Sequence, residues 1–373
     1  MAIFDLGLDT LRQRTSMKWI RYDADVLPLW VAEMDVTVPP GVRATFDHVL
    51  SIGDMGYPGY DSLPRAFVRY AADTWNLHLD QRRVLPCADV MTGITHLIDL
   101  LTPAGAQVVI NPPVYTPFWV AAATRGRRLL EVPLTGEGRL DLPALAATFA
   151  AEKPAAFLIS NPHNPHGTVH TYDELAEVAR LAREHDVRVI SDEIHAPLVA
   201  PGVTFVPYIT VPGSEDAYVV TAASKAFNLA ALKAGMIIAG EGVVDELWGF
   251  PYEVRSGASH LGLMAQSGGL DNDREWLAGL VSEIAEHKEL LSGLLKDRLG
   301  LSYRPSQGTY LAWVDCSALG LENPQRTFLD QGRVAFNAGT DYGRDHGQWV
   351  RMNLATSPAI ITEAVARMER ALG

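Results

Sequence analysis

Six short apolar runs between residues 107 and 240 decide most of what this chain can fold into: QVVINPP, RRLLEVPL, AAFLIS, VRVISDE, AYVVTAA and AGMIIAG. Stretches with helical spacing separate them. Several runs are too uniformly apolar for a strand with one wet face, so together they predict a mostly parallel sheet buried on both faces. The segment between AAFLIS and VRVISDE, TYDELAEVARLAREHD, carries a capping box at Thr171 and Glu174, with Leu175, Val178 and Ala182 along one helical face. This is a βαβ unit, and it sets the fold class as α/β.

The flanks are organised differently. The first forty residues mix polar and apolar types up to Pro39-Pro40 and read as an extended arm. A helix is predicted over 41–53, then the turn-rich MGYPGYDSLP, then a second helix from about Arg65. A long helical pattern covers 272–299, and 300–373 reads strand, helix, strand, helix. The expected organisation of the 373 residues is therefore an arm over 1–45, a large domain over 46–275 and a small C-terminal domain over 276–373 with which the arm packs. A formal net charge of −13 argues against nucleic acid or an anionic membrane as partner. No apolar stretch approaches a membrane span, and the opening AIFDLGLDT lacks the features of a signal peptide. With two cysteines only, Cys87 and Cys316, in no metal-binding spacing, the expectation is a cytoplasmic protein.

Ligands of α/β sheets collect at the carboxyl ends of the strands, and three such ends carry unusual chemistry. SNPHNPHG (160–167) is a proline-stiffened turn that can hold the Asn164 amide toward a ligand oxygen, or can simply be a capped loop. SDEIH (191–195) places Asp192 and Glu193 where an apolar strand meets the crevice. An acid buried there needs a cationic partner, such as a protonated pyridine nitrogen, unless it is a turn cap. TAASKAFNLAALK (221–233) sets Lys225 among apolar neighbours, which favours the neutral amine that imine formation needs; a snorkelling surface lysine is the plain alternative. Lys233 could balance phosphate charge. In MTGITHLIDLL (91–101), Thr92, Gly93, Ile94 and Thr95 precede an apolar helical stretch whose first amides could cradle a phosphate.

In this order and spacing the segments resemble the fold-type I pyridoxal phosphate (PLP) enzymes of the aspartate aminotransferase superfamily, over nearly the whole chain. DVLPLWVAEMD (25–35), GYPGYDSL (56–63), NPPVYTPF (111–118), SNPHNPHG, ISDEIHAPLV (190–199), SKAFNLAALK (224–233) and WVRMNLA (349–355) are most similar to the MalY/PatB-type cystathionine β-lyases, or C–S lyases. The resemblance implies a large domain with a mostly parallel seven-stranded sheet and a smaller α/β C-terminal domain. It implies Lys225 as Schiff-base lysine and acid/base at Cα, Asp192 at the pyridine nitrogen and Asn164 at the phenolic oxygen. His195 takes the place where many aminotransferases have a tyrosine, and Tyr115 stacks on the ring. By the same resemblance Gly93, Ile94, Ser224 and Lys233 would surround the phosphate, Tyr57 would reach the phosphate of the neighbouring subunit of a homodimer, and Arg351 would grip the substrate α-carboxylate. His166 stands where the family's turn usually has threonine.

The implied reaction is cleavage of cystathionine or related S-substituted cysteines to thiol, pyruvate and ammonia. The same residues serve transamination, the alternative outcome. A non-enzymatic alternative is a regulatory protein that binds the cofactor. His163, His166, His170 and His195 with the two acids could suggest a metal hydrolase, but their spacing across a proline turn does not fix them on one face, and no metal is expected.

Overall fold

The computed structural model describes residues 2–373. Its central sheet has seven strands: β1 (Val84–Cys87), β2 (Gln107–Ile110), β3 (Arg128–Glu131), β4 (Ala156–Ser160), β5 (Arg188–Asp192), β6 (Tyr218–Thr221) and β7 (Gly235–Ala239). They lie in the order β1-β7-β6-β5-β4-β2-β3. All neighbouring pairs are parallel except those that β7 makes with β1 and β6. The strands β4, β6 and β7 are buried at every position, as two covered faces require. Alternate residues feed two apolar layers: Phe157, Ile159, Val189 and Val219 face one, and Leu158, Ile190, Val220 and Ile237 the other.

The two edges explain what the sequence pattern shows and hides. At one edge β3 begins with Arg128 and ends with Glu131, both exposed, as suits a strand with one neighbour. At the other, β1 was not among the six predicted runs because VLPC contains Pro86. Proline donates no ladder hydrogen bond, and an edge strand tolerates that loss.

Around the sheet, α1 (Pro40–Ile52) and α2 (Ser62–Trp75) pack on α5 (His260–Asn272). The α5 sequence, HLGLMAQSGGLDN, gave no helical signal because of its glycines. Those glycines permit the packing: a Cβ on Gly268 would strike Thr45, and one on Gly269 would strike Phe227. Helix α3 (Val90–Leu101) lies against β6 and β7, and α4 (Tyr172–Glu184) begins with the reciprocal capping box of Thr171 and Glu174. The long helix α6 (Arg274–Leu299) follows α5 after Asp273, whose carboxylate accepts from the Gly41 and Val42 amides at 2.7 and 2.9 Å and so caps α1 from a distance.

A third apolar core unites the arm with the C-terminal layer. Leu11, Leu27 and Leu29 pack with Leu291 and Leu295 of α6 and with Val314, Phe336, Met352 and Ile361. Leu27–Pro28 pairs in parallel with Val334–Ala335, and β8 (Leu311–Asp315) lies antiparallel to β9 (Trp349–Asn353), with α7 (Pro358–Arg370) packed on α6. The arm thus runs from the C-terminal layer to the edge of the large sheet's carboxyl end, where the candidate site lies.

Candidate functional site

The carboxyl ends of β4, β5 and β6, the segments after β2, the arm and the start of α3 enclose one cavity of about 310 Å³. Lys225 enters it from the turn after β6. Its Nζ donates to the Ala32 carbonyl at 2.7 Å, and the Tyr310 hydroxyl donates to the same oxygen at 3.1 Å. Burial first, then the charge of Arg351, lowers the Lys225 pKa to about 8 against the opposing pull of Glu33 and Asp192. The turn is tied to the arm by Asn228, left-handed at φ 58°, whose side chain accepts from the Met34 amide at 2.8 Å and donates to its carbonyl at 3.0 Å.

Of the two acids that end β5, only Asp192 faces the cavity. It accepts from the Ile194 amide at 3.1 Å, and burial raises its pKa to about 7 although that amide and Lys225 favour the charge. Glu193 turns to the opposite side, where its carboxylate accepts from Ser191 Oγ at 3.0 Å and the Tyr208 amide at 2.8 Å. Strand alternation therefore separates the roles that SDEIH left open.

Arg351, in the middle of β9, is buried. It donates to Asn164 Oδ1 at 3.1 Å, Asn337 Oδ1 at 2.7 Å and the Trp30 carbonyl at 3.1 Å, and lies 4.9 Å over the Tyr342 ring. These acceptors are neutral, so the guanidinium keeps its charge for an incoming carboxylate. Because Arg351 occupies the Asn164 oxygen, the Asn164 amide is left as a donor. His195 is buried at the cavity wall with its ring edge-on to Tyr310 at 6.2 Å. Burial, with Lys225 and Arg351 nearby, holds it neutral. Tyr115 lines the cavity and packs edge-on against Phe118 at 5.9 Å.

Of the four residues expected around a phosphate, Ser224 and Lys233 line the cavity, and Gly93 and Ile94 do not. Asp89 caps α3 by accepting from the Thr92 amide at 2.7 Å, so the helix starts at Val90 and its unpaired amides lie about one turn earlier than predicted. Val90 and Met91 reach the cavity instead. Gly93 faces the sheet, where a Cβ would come within 2.9 Å of Val220, and Ile94 is fully buried in the core. Tyr57 also lies outside the cavity, 99% exposed on the loop between α1 and α2.

His166 does not line the cavity either; its ring fills the space above Gly138. The His163 and His170 rings hold the Pro113 and Ser160 carbonyls at 2.8 and 3.1 Å. Among the described residues no three His, Cys, Asp or Glu side chains are grouped to hold a metal ion. Sequence reasoning missed Asp89, Asn228 and Asn337. An aspartate directly before an apolar helix is a capping signal and could have revealed the first; Asn228 acts on the distant Met34 backbone and Asn337 on the Arg351 side chain, and neither had a local signal.

Comparison with known proteins shows the family to which the chain belongs. The family model for aminotransferase class I and II matches residues 28–368. A Mycobacterium tuberculosis protein provisionally named a cystathionine beta-lyase is 43% identical, covering 99% of this chain and 97% of its own. Cystathionine beta-lyase PatB of Bacillus subtilis is 28% identical over 98% of this chain and 100% of its own. A crystal structure from Corynebacterium diphtheriae, provisionally described as a PLP-dependent beta-cystathionase, superimposes with a TM-score of 0.92 at 32% identity, covering 100% of this chain and 99% of that one.

Proposed function

Because the chain belongs to the class I and II aminotransferase family, we propose that it is a pyridoxal phosphate-dependent C–S β-lyase, cleaving cystathionine or related S-substituted cysteines to thiol, pyruvate and ammonia. The observation that carries the reading is the meeting in one cavity of a lysine amine whose pKa is lowered to about 8 and a buried aspartate whose carboxylate, among the described residues, accepts only from the Ile194 amide. The residues present fit the cofactor. Lys225 supplies the amine, Asp192 an acid in need of a cation, and Asn164 a free donor. The start of α3 with Ser224 and Lys233 supplies an anion cup, and His195 Nδ1 is buried without a partner.

Bound there, pyridoxal phosphate supplies an electron sink for the pair left when the substrate Cα–H bond breaks. The chain's residues do the rest. Asp192 would hold the proton on the pyridine nitrogen, Arg351 would hold the α-carboxylate, and Tyr115 would bound the ring face. Lys225, freed by the incoming amine, removes the Cα proton from a fixed position. Retained on Lys225 or passed from it to the departing sulfur, that proton would accompany loss of the thiol; transamination would need Lys225 to deliver it elsewhere.

We read the arm and residues 276–373 as the unit that brings Arg351 to substrate, and the residues between them as the unit that binds cofactor. Since α1 runs unbroken through position 45, we place the first boundary at Pro39. The exposure of Tyr57, with Leu50, Ile52 and Met55 exposed on the same stretch, supports a homodimer in which Tyr57 completes the neighbouring site. The test is turnover of cystathionine by the purified protein. The reading expects pyruvate and free thiol; amino exchange with 2-oxoglutarate without pyruvate would reject the lyase outcome.

A further inference from the structure

We propose that Asp89 is a positioning residue that weakens and so sets the protein's hold on the cofactor's phosphate; the proposal rests on the pyridoxal phosphate reading above. The anion cup has few parts. The Val90 and Met91 amides open the first turn of a twelve-residue helix, where helix geometry leaves them without intrahelical acceptors and the dipole favours negative charge. Ser224 adds a hydroxyl and Lys233 an ammonium.

Asp89 stands in the same place with both oxygens committed. Oδ1 accepts from the Thr92 amide at 2.7 Å, and Oδ2 meets Lys233 Nζ at 2.9 Å. Burial opposes its charge, but the Thr92 amide and the Lys233 ammonium outweigh burial and keep the carboxyl below its ordinary range. A phosphate in the cup therefore shares Lys233 with a carboxylate that repels it. Seen from the phosphate, the two side chains cancel, and the helix amides and Ser224 carry the binding. Capping does not require this charge, because asparagine and serine cap a helix as well as aspartate does. The charge is an addition at the one end of the cavity where a like charge is felt.

The experiment titrates apoprotein with pyridoxal phosphate and with pyridoxal, which lacks the phosphate, following attachment to Lys225 by absorbance. It compares wild type, Asp89→Asn, Lys233→Met and the double variant. For pyridoxal phosphate, Asp89→Asn should bind about tenfold more tightly, Lys233→Met about tenfold more weakly, and the double variant close to wild type, as expected for single unit charges at a partly exposed site. Pyridoxal affinity should be the same in all four. Asp89→Ser, another good cap, should repeat the tightening. Equal or weaker phosphate-cofactor binding by Asp89→Asn, or equal shifts for the two aldehydes, would overturn the proposal while leaving the cofactor assignment standing. Failure of both aldehydes to attach to wild type would instead overturn the cofactor assignment.

Discussion

Lys225 and Lys288 are two lysines of one chain that burial has pushed toward neutrality, and only one of them stands in a place where chemistry can happen. Lys288, 2% exposed on α6, donates to the Ser306 and Gly308 carbonyls at 2.8 and 3.2 Å, and burial alone lowers its pKa to about 7. Lys225 is lowered less, to about 8, yet its amine lies at the wall of a 310 Å³ cavity with Asp192 and Arg351 around the same space. A depressed lysine pKa is thus a product of packing and does not itself mark a reactive amine. What distinguishes Lys225 is room for a ligand and fixed charges that a ligand can use. Lys288 serves the same site at one remove. It pins the 306–308 loop, whose Gly308 amide donates at 2.7 Å to Gly167 behind the SNPHNPHG turn.

The largest expected contrast comes from removing each amine. Lys225→Ala should lose turnover by about 10⁴-fold or more while remaining folded, because it deletes both the attachment point and the base at Cα. Lys288→Met should keep turnover within about tenfold. Steady-state assays with circular dichroism would check both, and an active Lys225→Ala variant would break the comparison.

A smaller effect, about 100-fold in kcat/KM, is expected for Arg351→Lys, since an ammonium cannot reproduce the paired hydrogen bonds of a guanidinium. The kinetics of a small S-substituted cysteine would show it, and unchanged kcat/KM would remove Arg351 from the carboxylate site.

Stability should separate the lysines by pH. The folded pKa of Lys288 is below its ordinary value, so between about pH 7 and about pH 10.5 the unfolded chain binds more protons than the folded one, and stability rises with pH. The cost of the buried cation is full below about pH 7 and fades toward pH 10.5. Relative to wild type, Lys288→Met should therefore be at its most favourable below pH 7 and lose ground as pH rises; denaturant melts of both proteins across this range would test it. The smallest effect is kinetic. Cofactor capture by apoprotein should rise with pH to a plateau above about 8, and Arg351→Met should move that midpoint upward, because one of the causes lowering the Lys225 pKa is gone. A midpoint that stays in place would mean that Arg351 is not felt at Nζ.

Much of this was legible in the residues. Apolar runs announced β2 to β7, most uniformly in β4, β6 and β7 where both faces of the sheet are covered, and Thr171 with Glu174 announced α4 because a capping box is local. Lys225, Asp192, Asn164 and Arg351 were legible through motifs, and the chain brings all four to one cavity. What failed to show depended on distant partners. Pro86 concealed β1 because nothing local says that a strand lies at an edge. The glycines of α5 concealed a helix whose reason is Thr45 and Phe227. The start of α3 was misplaced because Thr92 and Gly93 resemble a helix opening, while Asp89 three residues earlier captures the Thr92 amide.

The most direct test of the account is to reduce the cofactor-loaded protein with borohydride and map the labelled peptide. The account predicts one pyridoxyl label, on Lys225, with Lys288 and Lys233 unmodified. A label on either of those, or a protein that takes up no cofactor at all, would contradict it.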